Sequence, residues 1–344
     1  MNFASDNAYG AWPEIVAALS RAAEGAVPSY GEDALTAKVC GRLCRLFERE
    51  VAVFPVISGT AANALALATL VPQHGAIFCH AESHVAVDEC GAPEFFTHGA
   101  KLVPLEGDSA KIDPTTLERA IAGFRKGFVH HAQPAAVSIT QSTELGTVYT
   151  VAEVAALCGT SHAHGMKVHM DGARFANALA HLGGSPADIT WRAGVDAMSF
   201  GATKNGALGA EAVIFFNPAD VKDFEYRRKK AGHLLSKMRF ISAQLDAYLA
   251  SDRWLARAAR ANALAGRLAE GLRAIGDARI AHPVEANAVF VELPDPLVAR
   301  LRQAGGVFHD WQPPAGGRTL IRLVTSFATP DEDVDRFVEL ARKA

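Results

Sequence analysis

The chain has 344 residues, 49% of them hydrophobic, and a formal net charge of −3. That apolar content is enough for a large core and two domains and excludes a disordered chain, while lysines and arginines spread along the sequence leave no basic field for a nucleic acid. No apolar run approaches the ~20 residues that cross a bilayer. The opening MNFASDNAYG has neither the basic nor the apolar region of a secretory leader, so a cytoplasmic protein without a membrane partner is expected. Five cysteines, Cys40, Cys44, Cys79, Cys90 and Cys158, have neither zinc-site spacing nor the density of a disulfide framework and read as reduced thiols.

Along the chain, residues 1–25 read as an N-terminal arm, and helical and strand signals then alternate as in an α/β protein built on a mostly parallel sheet. LTAKVCGRLCRLFE (35–48) has apolar residues at helical spacing, and VAVFPVI (51–57) follows as a short strand. AANALALATL (61–70) is helical, AIFCH (76–80) and AAVSIT (135–140) are strands, and VAEVAALCGTSHAHG (151–165) is an amphipathic helix. KVHMD (167–171), AMSFG (197–201) and AVIFF (212–216) add buried strands. From about Tyr226 a long Ala/Arg/Leu-rich helical stretch runs to near Ile275. ANAVFVEL, TLIRLVTSF and the closing DEDVDRFVELARKA then suggest a small α+β unit. The spacing predicts a large domain over 26–240 and a small one over 241–344.

Three stretches point to one chemistry. In ISGTAANALAL (57–67) a strand runs through Ser58, Gly59 and Thr60 into a helix, whose unpaired N–H groups and partial positive charge suit a phosphate; an ordinary N-cap by Ser58 or Thr60 would leave the same trace. Asp171 in HMDGARF and Lys204 in SFGATKNGALG both follow buried strands, and ligand sites in such sheets lie at the carboxyl ends of strands. Pyridoxal phosphate needs these three parts: an anion cup, a carboxylate for its ring nitrogen and a lysine for its aldehyde. A buried structural ion pair between Asp171 and Lys204 is the alternative. The small residues Gly201, Ala202 and Gly206 would leave room for the ring. His84, a few residues past AIFCH, could stack on that ring or move a proton. His80 and His84 stand four apart without a third ligand, so no metal centre is expected.

As a set, FASDNAYG, SYGEDALTAK, SGTAAN, ESHVAVDECGAPEF, DGARFANAL, TKNG and IRLVTSF resemble the low-specificity L-threonine aldolases, over nearly the whole chain. The resemblance implies the type I pyridoxal-phosphate fold, a large domain with a mostly parallel sheet flanked by helices plus a smaller C-terminal α+β domain. It implies cleavage of L-threonine, L-allo-threonine and related β-hydroxy-α-amino acids to glycine and an aldehyde. A β-eliminating lyase, an aminotransferase or a non-catalytic pyridoxal-phosphate-binding protein would share the cofactor residues. By the same resemblance Ser58, Gly59 and Thr60 hold the phosphate, His84 stacks on the ring, Asp171 pairs with the ring nitrogen and Lys204 forms the Schiff base. Arg174 and Arg322, with Ser5 and Tyr30, would bind the substrate, Arg174 also touching the cofactor. Asp88 is a candidate to orient His84. Many members of that family carry a histidine where Glu144 stands here. The resemblance further implies a homodimer or homotetramer with sites at a dimer interface, where Arg228, Lys229 and Lys237 could reach the partner's phosphate.

Overall fold

A computed structural model describes residues 1–221 and 223–343; Ala344, the end of the expected C-terminal helix and small domain, lies outside the described residues. Among the described residues seven strands form one sheet: β1 (Ala52–Val56), β2 (Gly75–His80), β3 (Lys101–Leu105), β4 (Gln133–Thr140), β5 (Lys167–Gly172), β6 (Ala197–Gly201) and β7 (Glu211–Phe215). Their order is β1-β7-β6-β5-β4-β2-β3. The run from β3 through β2, β4 and β5 to β6 is parallel, and β7 pairs antiparallel with both β6 and β1. The central strands are apolar on both faces because helices cover both sides, and β5 and β6 are buried almost throughout.

This topology decides where side chains can meet. The parallel strands β2, β4, β5 and β6 all end on one edge, at His80, Thr140, Gly172 and Gly201. β7 runs the other way, so it begins on that edge: Glu211 pairs with Gly201 and with Val56, the last residue of β1. The loops after β1, β2, β4, β5 and β6 and the first residue of β7 therefore share one rim.

A second sheet contains β8 (Arg279–Ile280), β9 (Ala288–Pro294), β10 (His309–Asp310) and β11 (Arg318–Val324), all antiparallel in the order β10-β11-β9-β8. Its core joins Val289, Val291, Ile321 and Leu323 to Leu268 and Leu272 of the helix Arg253–Arg273 and to Phe337 of the helix Asp331–Arg342. Phe3 from the other end of the chain completes it, held by backbone hydrogen bonds to Val307 and Val324. The N-terminal residues are thus a built part of the second sheet's core.

The expected long helix from Tyr226 to Ile275 is instead three, Phe224–Lys230, Arg239–Tyr248 and Arg253–Arg273. Gly232, at φ +78°, ends the first, because L-residues avoid that left-handed conformation. The helix Arg239–Tyr248 packs on the helices Pro13–Ala22 and Ala34–Leu46 beside the large sheet. The helix Val151–Ala163 starts where Thr150 and Glu153 form a capping box. All five cysteines are free thiols. Among the described residues no helix is long and apolar enough to cross a membrane.

Candidate active site

On the shared rim lies a cavity of about 370 Å³. Ser58, Gly59, Thr60, His84, Asp171, Arg174 and Lys204 all line it, from four separate stretches of the chain. The helix Gly59–Leu70 opens on its wall. Ser58 does cap it, its Oγ accepting from the Ala61 N–H at 3.3 Å, so the ordinary cap and the cavity wall coincide. A Cβ built at Gly59 would meet nothing within 4 Å, which leaves its backbone open to an approaching group.

Asp171 is buried at the end of β5. Its Oδ1 accepts from the Ala173 N–H at 2.9 Å and its Oδ2 from Asn63 Nδ2 at 2.8 Å. Lys204 is half-buried in the cavity wall and pairs with no acid among the described residues. Burial and the charge of Arg174 both hold its amine below the usual lysine range, because each disfavours the ammonium form. The three small residues near it serve packing. Gly201 faces the Ala173 backbone, where a Cβ would come within 2.7 Å; Gly206 lies against the Trp12 indole; Ala202 is fully buried in the core.

His84 opens a short helix, and its Nδ1 lies 2.8 Å from Glu89 Oε1. Asp88 does not orient this ring: it is an exposed residue at the end of the turn. Counting four residues on from His84 assumes that the helix continues, but it stops at Val87, and Glu89 is the acid that comes round. Asn63 Nδ2 donates to Glu89 and to Asp171, both at 2.8 Å, which ties the imidazole to the β5 carboxylate through one amide. The Glu89 hydrogen bond raises the His84 pKa against the opposing effect of burial.

Arg174 faces the cavity, yet it donates Nε and Nη2 to Asp6 at 2.8 and 3.0 Å, a bidentate fork with a buried acid that Asn287 Nδ2 also contacts at 3.0 Å. Burial raises the Asp6 pKa, but the Arg174 charge and hydrogen bonds outweigh it and hold the carboxyl below its ordinary range. Asn7 rather than Ser5 lines the cavity; the Ser5 hydroxyl accepts the Asn7 N–H at 3.1 Å and caps the turn that carries Asp6.

Arg322, on β11, is half-buried with its guanidinium 5.1 Å from the Trp311 ring centre. Its Nη2 reaches the Ala4 carbonyl at 3.5 Å, its Nε is enclosed without a partner, and it forms no ion pair among the described residues. Burial and the charge of Arg174 lower its pKa, and Arg322 does not itself line the cavity. Tyr30, Arg228, Lys229 and Lys237 do not line the cavity of their own chain. Tyr30 is exposed with the Lys229 amine 4.5 Å above its ring, Lys237 is exposed, and Arg228 is buried over Phe54 with an enclosed, unpartnered Nε.

Two acids complete the wall. Glu144 Oε1 accepts from the His84 N–H at 2.8 Å and from the Thr140 hydroxyl at 2.9 Å, and Glu211 Oε1 accepts from the Thr203 N–H at 3.4 Å. Burial pushes each up to about 7.

Sequence and fold together fix the class: the chain belongs to the beta-eliminating lyase family, whose model matches residues 2–296. It is 43% identical to the low specificity L-threonine aldolase of Pseudomonas aeruginosa over 340 residues, 99% of this chain and 96% of that one. A low specificity L-threonine aldolase of a Pseudomonas species is 42% identical over 92% of this chain and 91% of its own length. Among solved structures, a threonine aldolase of Leishmania major superposes with a TM-score of 0.94 at 29% identity, covering 99% of this chain and 98% of that one. The fold is that of the type I pyridoxal-phosphate enzymes, as the motifs imply.

Proposed function

We propose that this chain is a carbon–carbon lyase that cleaves L-threonine, L-allo-threonine and related β-hydroxy-α-amino acids to glycine and an aldehyde, with pyridoxal 5'-phosphate as cofactor. The observation that carries this reading is the convergence of a lysine amine, Lys204, with no ion-pair partner among the described residues, and a buried carboxylate, Asp171, on one cavity walled by a helix N-terminus. The names of the relatives support the choice of substrate.

The residues present fit that cofactor. The open backbone at Gly59, with Ser58 and Thr60 beside it, suits a phosphate on the helix N-terminus. Asp171, fixed by Asn63 and the Ala173 N–H, is a rigid partner for a ring nitrogen, and His84, braced by Glu89, presents a flat face beside it. The lowered pKa of Lys204 favours the neutral amine that attack on an aldehyde requires. When bound, the cofactor supplies an electron-withdrawing ring for the electron pair of the broken bond. Arg174 and Arg322 bind the substrate carboxylate and so hold the Cα–Cβ bond in the orientation for cleavage. Arg322 supports that role because it forms no ion pair among the described residues. Ser5 then acts through the arm that carries Asp6 and Asn7, and Tyr30, Arg228, Lys229 and Lys237 serve the cavity of a second copy.

The test is a visible spectrum of the purified protein followed by measurement of glycine released from L-threonine and from phenylserine. The expected result is a Schiff-base band that is absent in Lys204→Ala, with glycine formed from both substrates by the unaltered chain. A protein with no such band and no glycine release would overturn the reading, and release of a 2-oxo acid in place of glycine would assign a different reaction.

A further inference from the structure

Glu144 is placed and charged in a way that holding the fold does not require. It stands four residues after the end of β4 and is one of the residues that line the cavity. Oε1 is fixed by two donors, the His84 N–H and the Thr140 hydroxyl, while Oε2 is enclosed and has no partner among the described residues. A carboxylate that serves only as a structural acceptor has donors for both oxygens; half of this one is left unsatisfied.

The groups around it separate it from the other acids and bases of the cavity. Arg174 is favoured by the charges of Asp6, Glu144 and Asp171, whereas Glu211 couples to Lys204 and Asp171 on the opposite side of β5. Cys79 faces Glu144 from β2, its thiol pushed up to about 11, and Tyr149 from the loop after β4; neither supplies a cation. His84 is the competing base, but Glu89 stabilises its imidazolium, so the ring more readily already holds a proton and is less available in the neutral form a base needs. Asp171 is committed to Asn63 and the Ala173 N–H.

We infer that Glu144 is the base that takes the β-hydroxyl proton of the substrate. The assignment rests on the reaction proposed above. The O–H bond breaks and its proton passes to the Glu144 carboxylate; the oxygen's electron pair forms the second bond of the aldehyde carbonyl. The Cα–Cβ bond breaks, its electron pair stays with Cα, and a proton added at Cα completes glycine, so the overall reaction neither gains nor loses electrons. Burial raises the pKa of this carboxyl to about 7, which lets it accept and release a proton near neutrality.

Glu144→Gln tests this, because the amide oxygen can still accept from His84 and Thr140. Cleavage of L-threonine should fall about a hundredfold or more. Exchange of the α-proton of glycine with deuterium in heavy water, which involves no hydroxyl, should change by less than about threefold, and glycine should still shift the visible band at similar concentrations. In the unaltered enzyme kcat/KM should rise with pH through about 7, since the base works unprotonated, and that limb should vanish in the variant. In the cofactor-free protein an infrared carboxyl band titrating near 7 should disappear in Glu144→Gln, and Glu144→Asp should restore part of the cleavage. Unchanged cleavage in Glu144→Gln, or parallel loss of cleavage and exchange, would overturn the assignment. Absence of cleavage by the unaltered chain would instead overturn the proposed reaction.

Discussion

Arg322 shows what one side chain's surroundings can decide. It stands in the middle of a strand that, apart from Arg318 at its start and one threonine, is apolar, and a cation there is costly unless an anion meets it. Among the described residues no acid pairs with it and its Nε is enclosed without a partner, while the neighbouring cation Arg174 opposes it. Arg322→Lys keeps the charge but loses the fork, so kcat/KM for L-threonine should fall by about tenfold or more while cofactor absorbance is retained. Normal kinetics with a lowered melting temperature would show that the residue only holds the strand in place. Lys204 and Asp171 were legible in the sequence because each follows a buried apolar run, where a charged residue needs a reason. Glu89 and Asp6 were not. Glu89 was hidden by a helix that ends two residues early, and Asp6 because its partners, Arg174 and Asn287, are 168 and 281 residues away in the chain.

Among the elements, the N-terminal arm does more than its composition suggests. Phe3 fills the core of the second sheet, and three residues later Asp6 binds Arg174 on the rim of the first, so the arm joins the two. Asp6→Ala would leave the Arg174 guanidinium, one-fifth exposed, without its acid. Removing one partner of such a pair should destabilise the fold by about 3 kcal/mol in denaturant unfolding. The Asp6 pKa is lowered in the folded state, so this stabilisation is present above the ordinary carboxylate range and lost as pH falls through the lowered value. The gap between the variant and the unaltered chain should therefore hold at neutral pH and close in acid; a gap of the same size throughout would mean that the charge is irrelevant. The arm's span was readable as a segment, but its docking was not, since no local periodicity marks a chain that packs by one phenylalanine and one aspartate. The same limit explains the three helices from Phe224 to Arg273, where good helix-forming composition concealed the break at Gly232. β3 was passed over because KLVPL carries a lysine and a proline, which an edge strand tolerates.

For the whole molecule, alternation of helix and strand was enough to reach a parallel sheet with its site at the carboxyl ends, because connections in such folds leave few other topologies. What it could not reach is the surface around the cavity. Ile57 and Leu208 line the cavity, and they are 46% and 58% exposed in a single chain. The Ile57 N–H donates to His233 Nδ1 at 3.4 Å, and the His233 N–H donates to the Arg228 carbonyl, so the apolar mouth runs directly into the basic helix Phe224–Lys230. Tyr226 on that helix is 80% exposed, and Tyr30 lies under Lys229. Apolar and aromatic exposure continuous with a binding cavity suits an isologous contact between two copies, in which the basic helix of each reaches the cavity of the other. Sedimentation velocity should then give a dimer or tetramer. Leu208→Asp places a charge in the contact without touching the core, so it should shift the protein toward monomer and loosen retention of the cofactor on dialysis while melting changes little. A chain that sediments as a monomer with full activity would show that each cavity is complete by itself, that Lys229 and Lys237 belong to an ordinary solvated surface, and that Arg228 only packs over Phe54.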